Sequence, residues 1–199
     1  MIEDNNETRS NFEEGELFSA AADKLISSIN EILRTAKTEE DLRIGFEKSL
    51  EPILKSIGID TKPIYESLGI ENKSIYRGRP DAIHGQIIIE YEPPDSFCSD
   101  TVIIHAYEQL KNYMLAKAKG EKTGPVELLK RIVGVGFDGK VIFFIRYQAR
   151  SNGKPSDIDE KLFIQYGPFL VGTYCRVLAT GIQVLFLHDR SGKLDSRSD

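Results

Sequence analysis

Two short apolar runs, Ala82-Ile83-His84 and Ile87 to Tyr91, flank the pair Gly85-Gln86. Such runs, separated by two turn-forming residues, read as a β-hairpin. Gly at the first central position of a two-residue loop suits a type II′ turn. The expected pairs are then 84–87, 83–88, 82–89 and 81–90. Both faces of this hairpin are apolar: Ile83 and Ile88 lie on one, Ala82, Ile87 and Ile89 on the other. A sheet buried on both faces needs helices on both sides. The expected fold is therefore α/β, a three-layer sandwich with a central mixed β-sheet flanked by helices.

The same hairpin concentrates negative charge. Asp81 falls opposite Glu90, with Cβ atoms about 5 Å apart. Glu92 is two residues beyond Glu90 and shares its face. Like charges this close repel one another. A hard divalent cation with oxygen ligands relieves that repulsion, which makes Asp81, Glu90 and Glu92 candidate metal ligands. The plainer alternative is a solvated polar face, and Ile83 and Ile88 on that face count against it.

Helical spacing of Leu17, Ala21, Ala22, Leu25, Ile29, Ile32 and Leu33 predicts a helix over residues 16 to 36. A second is expected after Thr38, a good N-cap followed by acids, with Leu42, Phe46, Leu50 and Ile53 as its stripe and Pro52 as a kink. At about 100° per residue, Glu39 falls on that core-facing stripe, where an unpartnered carboxylate is costly. Arg43 at i+4 is its plain partner, and Glu47, on the flank of the same stripe, is the runner-up to Glu39 as a site carboxylate.

A third helix is expected over 102 to 119. Gln109 and Tyr113 are i and i+4 and share one face of it. Tyr113 is either a site residue or simply a buried tyrosine with a satisfied hydroxyl. Lys111, Lys117, Lys119 and Lys122 surround this helix and its end. Arg77 and Arg79 precede Asp81 and have the chemistry of phosphate clamps, although pairing with Glu66 or Glu71 is an equal alternative. Asp138-Gly139 between two β-rich runs predicts a second hairpin. Residues 158 to 180 read as partly helical, broken by Gly167-Pro168, and Ile182 to Leu187 as a last strand. His84, His105 and His188 lack ligand spacing and read as structural or surface residues.

The 199 residues, 40% hydrophobic and 29% charged, suit one ordinary globular domain. Residues 1 to 15 are expected to be a disordered acidic leader, 16 to 189 the domain, and 190 to 199 a polar tail. The net charge of −5 disfavours a nucleic-acid partner only superficially. Glu3, Asp4, Glu7, Glu13, Glu14 and Glu16 against Arg9 account for all of it. The balanced remainder leaves room for a local basic groove. No apolar run approaches the roughly 18 residues of a membrane span. The two cysteines, Cys98 and Cys175, have no metal-ligand spacing, and a reduced cytoplasmic compartment is the expectation. No phosphate-binding glycine loop or serine-nucleophile motif is present.

Three stretches carry a resemblance. Pro80-Asp81, Glu90 and position 92 on a hairpin resemble the PD-(D/E)xK nuclease superfamily, with Glu92 where the pattern has Lys. Gln109 to Tyr113 looks like the QxxxY motif of RecB-type nucleases. Thr38 to Arg43 is similar to the helix that opens the nuclease domain of type I and type IIG restriction–modification proteins. The three follow the family's order and cover about residues 38 to 150. The resemblance implies a restriction-endonuclease-like sandwich and Mg²⁺-dependent hydrolysis of DNA, with Mn²⁺ as a substitute. It implies Asp81 and Glu90 as metal ligands and Glu92 as ligand or general base. Glu39 would reach the site from the first helix, with Gln109 and Tyr113 beside it. Arg77, Arg79 and Lys111 would border the DNA. It also implies a methyltransferase or translocase domain or subunit as partner. A different class remains open: a catalytically silent nuclease fold kept for nucleic-acid binding or assembly. A carboxylate-pair glycosidase is the weaker third, disfavoured by the absence of Trp.

Overall fold

The computed structural model describes residues 4–56, 63–65, 80–119, 124–148 and 158–171. The first helix, α1 (Asp4–Ile32), begins well before residue 16, where the sequence pattern first becomes amphipathic. Helix α2 (Glu39–Ser56) follows after a short turn. Its start is a capping box. Thr38 Oγ1 accepts from the Asp41 amide at 3.1 Å, and Asp41 Oδ2 accepts from the amides of Thr38 and Lys37, each at 3.1 Å. Pro52 lies inside α2, which runs on to Ser56.

Among the described residues, six strands form one sheet in the order β1-β2-β3-β4-β5-β6. Strand β1 (Ile64–Tyr65) pairs with β2 (Ala82–His84), and β2 with β3 (Ile87–Tyr91), both antiparallel. The hairpin register is 84–87, 83–88 and 82–89, as the sequence predicts. Gly85 has φ 59°, while Gln86 is not among the residues of positive φ. That excludes a type I′ turn, which needs positive φ at both central residues, and agrees with type II′.

From β3 the chain passes through α3 (Asp100–Lys119) and the short α4 (Pro125–Leu129) to β4 (Val133–Phe137). Strand β4 lies parallel to β3, so the sheet is mixed. Strand β5 (Val141–Tyr147) returns antiparallel to β4 across the Asp138-Gly139 turn. Asp138 is fully buried and accepts from the amides of Phe97, Lys140 and Val141 at 2.7 to 2.9 Å.

Residues 163 to 170 correct the sequence expectation. They form β6 (Phe163–Leu170), not a helix, and pair antiparallel with β5. Their β-branched and aromatic side chains suit a pleated surface. Ile142 pairs with Phe169 and Phe144 with Tyr166, so Gly167 and Pro168 together oppose Phe143. This is a β-bulge, a position where an edge strand tolerates a proline that cannot donate to the ladder. The parts of the expected helix beyond residue 171, and the expected strand at 182 to 187, lie outside the described residues.

The two sheet faces have separate cores. On one, Leu25 and Ile29 of α1 and Leu42, Phe46 and Leu50 of α2 pack on Ile87, Ile89, Tyr91, Val135 and Phe137. On the other, Ala106, Leu110, Tyr113 and Met114 of α3 and Leu129 of α4 pack on Ile88, Phe143 and Ile145. Strand β4 shows how the layers close. Its Val133, Val135 and Phe137 join the α1–α2 core, while Gly134 faces α3. A Cβ at Gly134 would meet Met114 Sδ at 3.2 Å, and one at Gly136 would run into the Phe143 ring. The two glycines let α3 and Phe143 lie against the sheet.

Candidate functional site

The carboxylates converge where α2 begins and the β2–β3 hairpin ends. Asp81 occupies the bend that enters β2, and its Oδ2 accepts from the Tyr91 amide at 2.8 Å. That bond fastens the two strand ends beside Glu90. Glu90 points to the α3 side, since it alternates with Ile89 and Tyr91, which belong to the opposite core. It is only 6% exposed, and its Oε2 is buried without a hydrogen-bond partner among the described residues. Opposite Glu90 in the parallel register stands Gly136.

The electrostatics follow from that crowding. Burial, then the charges of Asp81, Glu92 and Glu39, push the Glu90 carboxyl up to about 9, against a smaller opposing effect from the Asp81 amide. Glu92 follows β3 and donates its amide to Phe137 O at 3.0 Å. Its carboxyl is raised by burial, Asp81 and Asp138. Glu39, the first residue of α2, is raised by burial and by Asp81 and Glu92, while Arg43 pulls the other way. The structure thus brings together four sequence-predicted residues: Glu39, Asp81, Glu90 and Glu92. Among the described residues, however, no three His, Cys, Asp or Glu side chains are set as a ready-made metal cage.

Gln109 and Tyr113 of α3 lie on the Glu90 side of the sheet. Tyr113 is 4% exposed, and burial followed by the Glu90 charge pushes its phenol up to about 12, opposed by a hydrogen bond from Gln109. The phenol therefore stays protonated beside Glu90. Gln109 Oε1 is buried without a partner among the described residues.

The described cations near the site have acidic or backbone partners. Arg43 grips Glu40 through Nε at 3.0 Å and Nη2 at 2.6 and 2.8 Å, rather than serving Glu39 alone. Lys111, expected at the DNA, has its ammonium 2.7 Å from Glu108 and 3.5 Å from Glu160, over the Tyr107 ring. Lys117 reaches Gly85 O at 2.7 Å. Arg77, Arg79 and Lys122 lie outside the described residues.

Glu47, the runner-up site carboxylate, is instead held in a buried polar group that the sequence does not reveal. Glu47 of α2, 7% exposed, accepts from Tyr91 Oη at 2.6 Å and meets His84 Nε2 at 3.0 to 3.1 Å. The only sequence signals were an acid on the flank of the α2 stripe and a histidine in register with Ala82 on the interior face. No family model matches the chain, and no curated protein or solved structure does either.

Proposed function

We propose that this chain is a divalent-metal-dependent endonuclease acting on DNA, built on the plan of the PD-(D/E)xK restriction-type nuclease domains. The observation that carries the reading is Glu90: a buried carboxyl with one oxygen unpartnered among the described residues, beside the charges of Asp81, Glu92 and Glu39. Burying such a group is costly unless something compensates it. A hard cation with oxygen ligands fits this donor set. Asp81 and Glu90 would hold Mg²⁺ or Mn²⁺, with Glu92 at the rim. The ion would stabilise charge on the scissile phosphate and make bound water more acidic.

The chain's own groups supply the rest. Glu92, its carboxyl raised from the ordinary value by burial and by Asp81 and Asp138, is a better proton acceptor than a free surface glutamate. It takes the proton of the attacking water where the family pattern has Lys. Tyr113, held protonated, donates toward the Glu90 side, and the spare Gln109 Oε1 orients a nucleotide or a water. Arg77 and Arg79 supply phosphate contacts. A methyltransferase or translocase domain or subunit supplies target recognition in a cytoplasmic restriction–modification assembly.

One set of observations favours a second reading, a silent nuclease-fold module for nucleic-acid binding or assembly. Position 92 is Glu, and Lys111 and Lys117 are engaged with Glu108, Glu160 and Gly85. Nicking of supercoiled plasmid in millimolar Mg²⁺ or Mn²⁺ separates the two. The nuclease reading expects cleavage by the wild type and a loss of about 100-fold or more in Glu90→Gln and Glu92→Gln, the scale of general-base and metal-ligand effects. DNA binding in Ca²⁺ with no cleavage in either metal would favour the silent module.

A further inference from the structure

Three of the four clustered carboxylates sit on or beside the β2–β3 hairpin, but Glu39 comes from α2. Whatever that cluster binds, its geometry depends on how α2 is registered against the hairpin. Around that contact the packing is mostly apolar: Leu42, Phe46 and Leu50 against Ile87, Ile89 and Tyr91. Apolar contact is non-directional and sets register weakly. Buried polar contacts set it strongly, because a slip leaves donors or acceptors unpaired.

Glu47 makes such contacts to both strands. Its carboxylate takes the Tyr91 hydroxyl of β3 at 2.6 Å and the His84 imidazole of β2 at 3.0 Å. All three side chains are buried, at 7%, 1% and 4% exposure. The Tyr91 ring is also braced by Phe46 and Phe137 at centroid distances of 5.8 and 6.1 Å. Tyr91 then faces both ways: its hydroxyl meets Glu47, while its amide holds Asp81 Oδ2 at 2.8 Å. Glu39 and Glu47 are eight residues apart on one rigid helix, about 12 Å along its axis. Fixing Glu47 therefore fixes Glu39.

We infer that Glu47, His84 and Tyr91 form a register lock that positions the α2 carboxylate Glu39 against Asp81, Glu90 and Glu92. Glu47 and His84 are positioning residues and touch no substrate. The lock deepens the metal-site reading above and rests on it only for its consequence, not for its geometry. A purely structural network would contribute stability and leave the site unchanged. A lock can be dispensable for stability and still be needed by the site, since well-packed apolar replacements of buried charged groups are often neutral or stabilising.

The test compares wild type, Tyr91→Phe, Glu47→Gln and the apolar triple variant Glu47→Leu/His84→Leu/Tyr91→Phe. Mn²⁺ affinity is measured by calorimetry. Independently of metal, a nitroxide at exposed position 44 of α2 (Ile44→Cys, with Cys98 and Cys175 changed to Ser) reads the distance to the amides of Ile88 to Tyr91. We expect the triple variant to melt near the wild type, to bind Mn²⁺ about tenfold or more weakly, and to show an altered relaxation pattern. Tyr91→Phe should show a smaller loss of the same kind, and Glu47→Gln, which keeps an acceptor for both partners, should stay close to wild type. Relaxation identical to wild type in both Tyr91→Phe and the triple variant would overturn the lock. An altered pattern with no Mn²⁺ binding by the wild type would leave the lock standing and remove the metal-site reading instead.

Discussion

Glu90 couples folding to pH in an unusual direction for a carboxylate. Its folded-state value is raised to about 9 by burial and by its acidic neighbours, against an ordinary 4.5. Between those values the folded protein keeps a proton that the unfolded chain has released. The contribution of Glu90 to stability is fully present below about 4.5 and is lost as pH rises toward 9, by at most ~1.4 kcal/mol per pH unit for one proton. Glu90→Gln should flatten that decline in denaturant melts of the metal-free protein between about pH 6 and 9, inside the window from 4.5 to about 9 that the shift defines. A decline of equal slope in the variant would show that Glu90 is charged at neutral pH. The same proton must leave before a cation binds. Mn²⁺ affinity should therefore rise with pH through this window in the wild type, and the rise should vanish in the variant.

At the scale of elements, the local signals were legible where they were short-range. The hairpin register follows from a period of two and one turn glycine, and the α2 start from Thr38 and Asp41. Thr38→Ala removes a cap and should cost about 1 kcal/mol by thermal melts, while a loss below a few tenths would argue against the reciprocal box. Gly136→Ala should cost ~1–3 kcal/mol, because the new methyl must displace the buried Phe143 ring. A neutral effect would mean that Phe143 has room to move. Strand β6 is not legible locally, because Gly167-Pro168 interrupts its apolar residues. Its alternating exposure and the bulge at Gly167-Pro168 only make sense once β5 is alongside. Strand β1, two residues long, offers no pattern at all.

For the whole molecule, burial on both faces of one hairpin correctly implied helices on both sides of a mixed sheet. The acidic cluster was legible because Asp81, Glu90 and Glu92 are linked by hairpin pairing, and Glu39 by its place on the α2 stripe. The Glu47–His84–Tyr91 group was not, since its members are 37 and 44 residues apart and meet only through packing. Among the described residues no helix is long and apolar enough to cross a membrane. What the fold achieves is to bring acids from two layers to one sheet end and to bury Glu90 there with one carboxyl oxygen that has no hydrogen-bond partner among the described residues.

The central claim is that this cluster exists to hold a divalent cation, and melting with and without Mn²⁺ tests it most directly. A ligand that binds only the folded state stabilises it by RT ln(1 + [L]/Kd), about 1.4 kcal/mol at ten times Kd. Asp81→Asn removes a charge yet keeps an acceptor for the Tyr91 amide, so it tests the cation site without unfastening the hairpin. The wild type should melt higher in millimolar Mn²⁺, and Asp81→Asn should lose most of that rise. No rise in the wild type, or an equal rise in Asp81→Asn, would contradict the account.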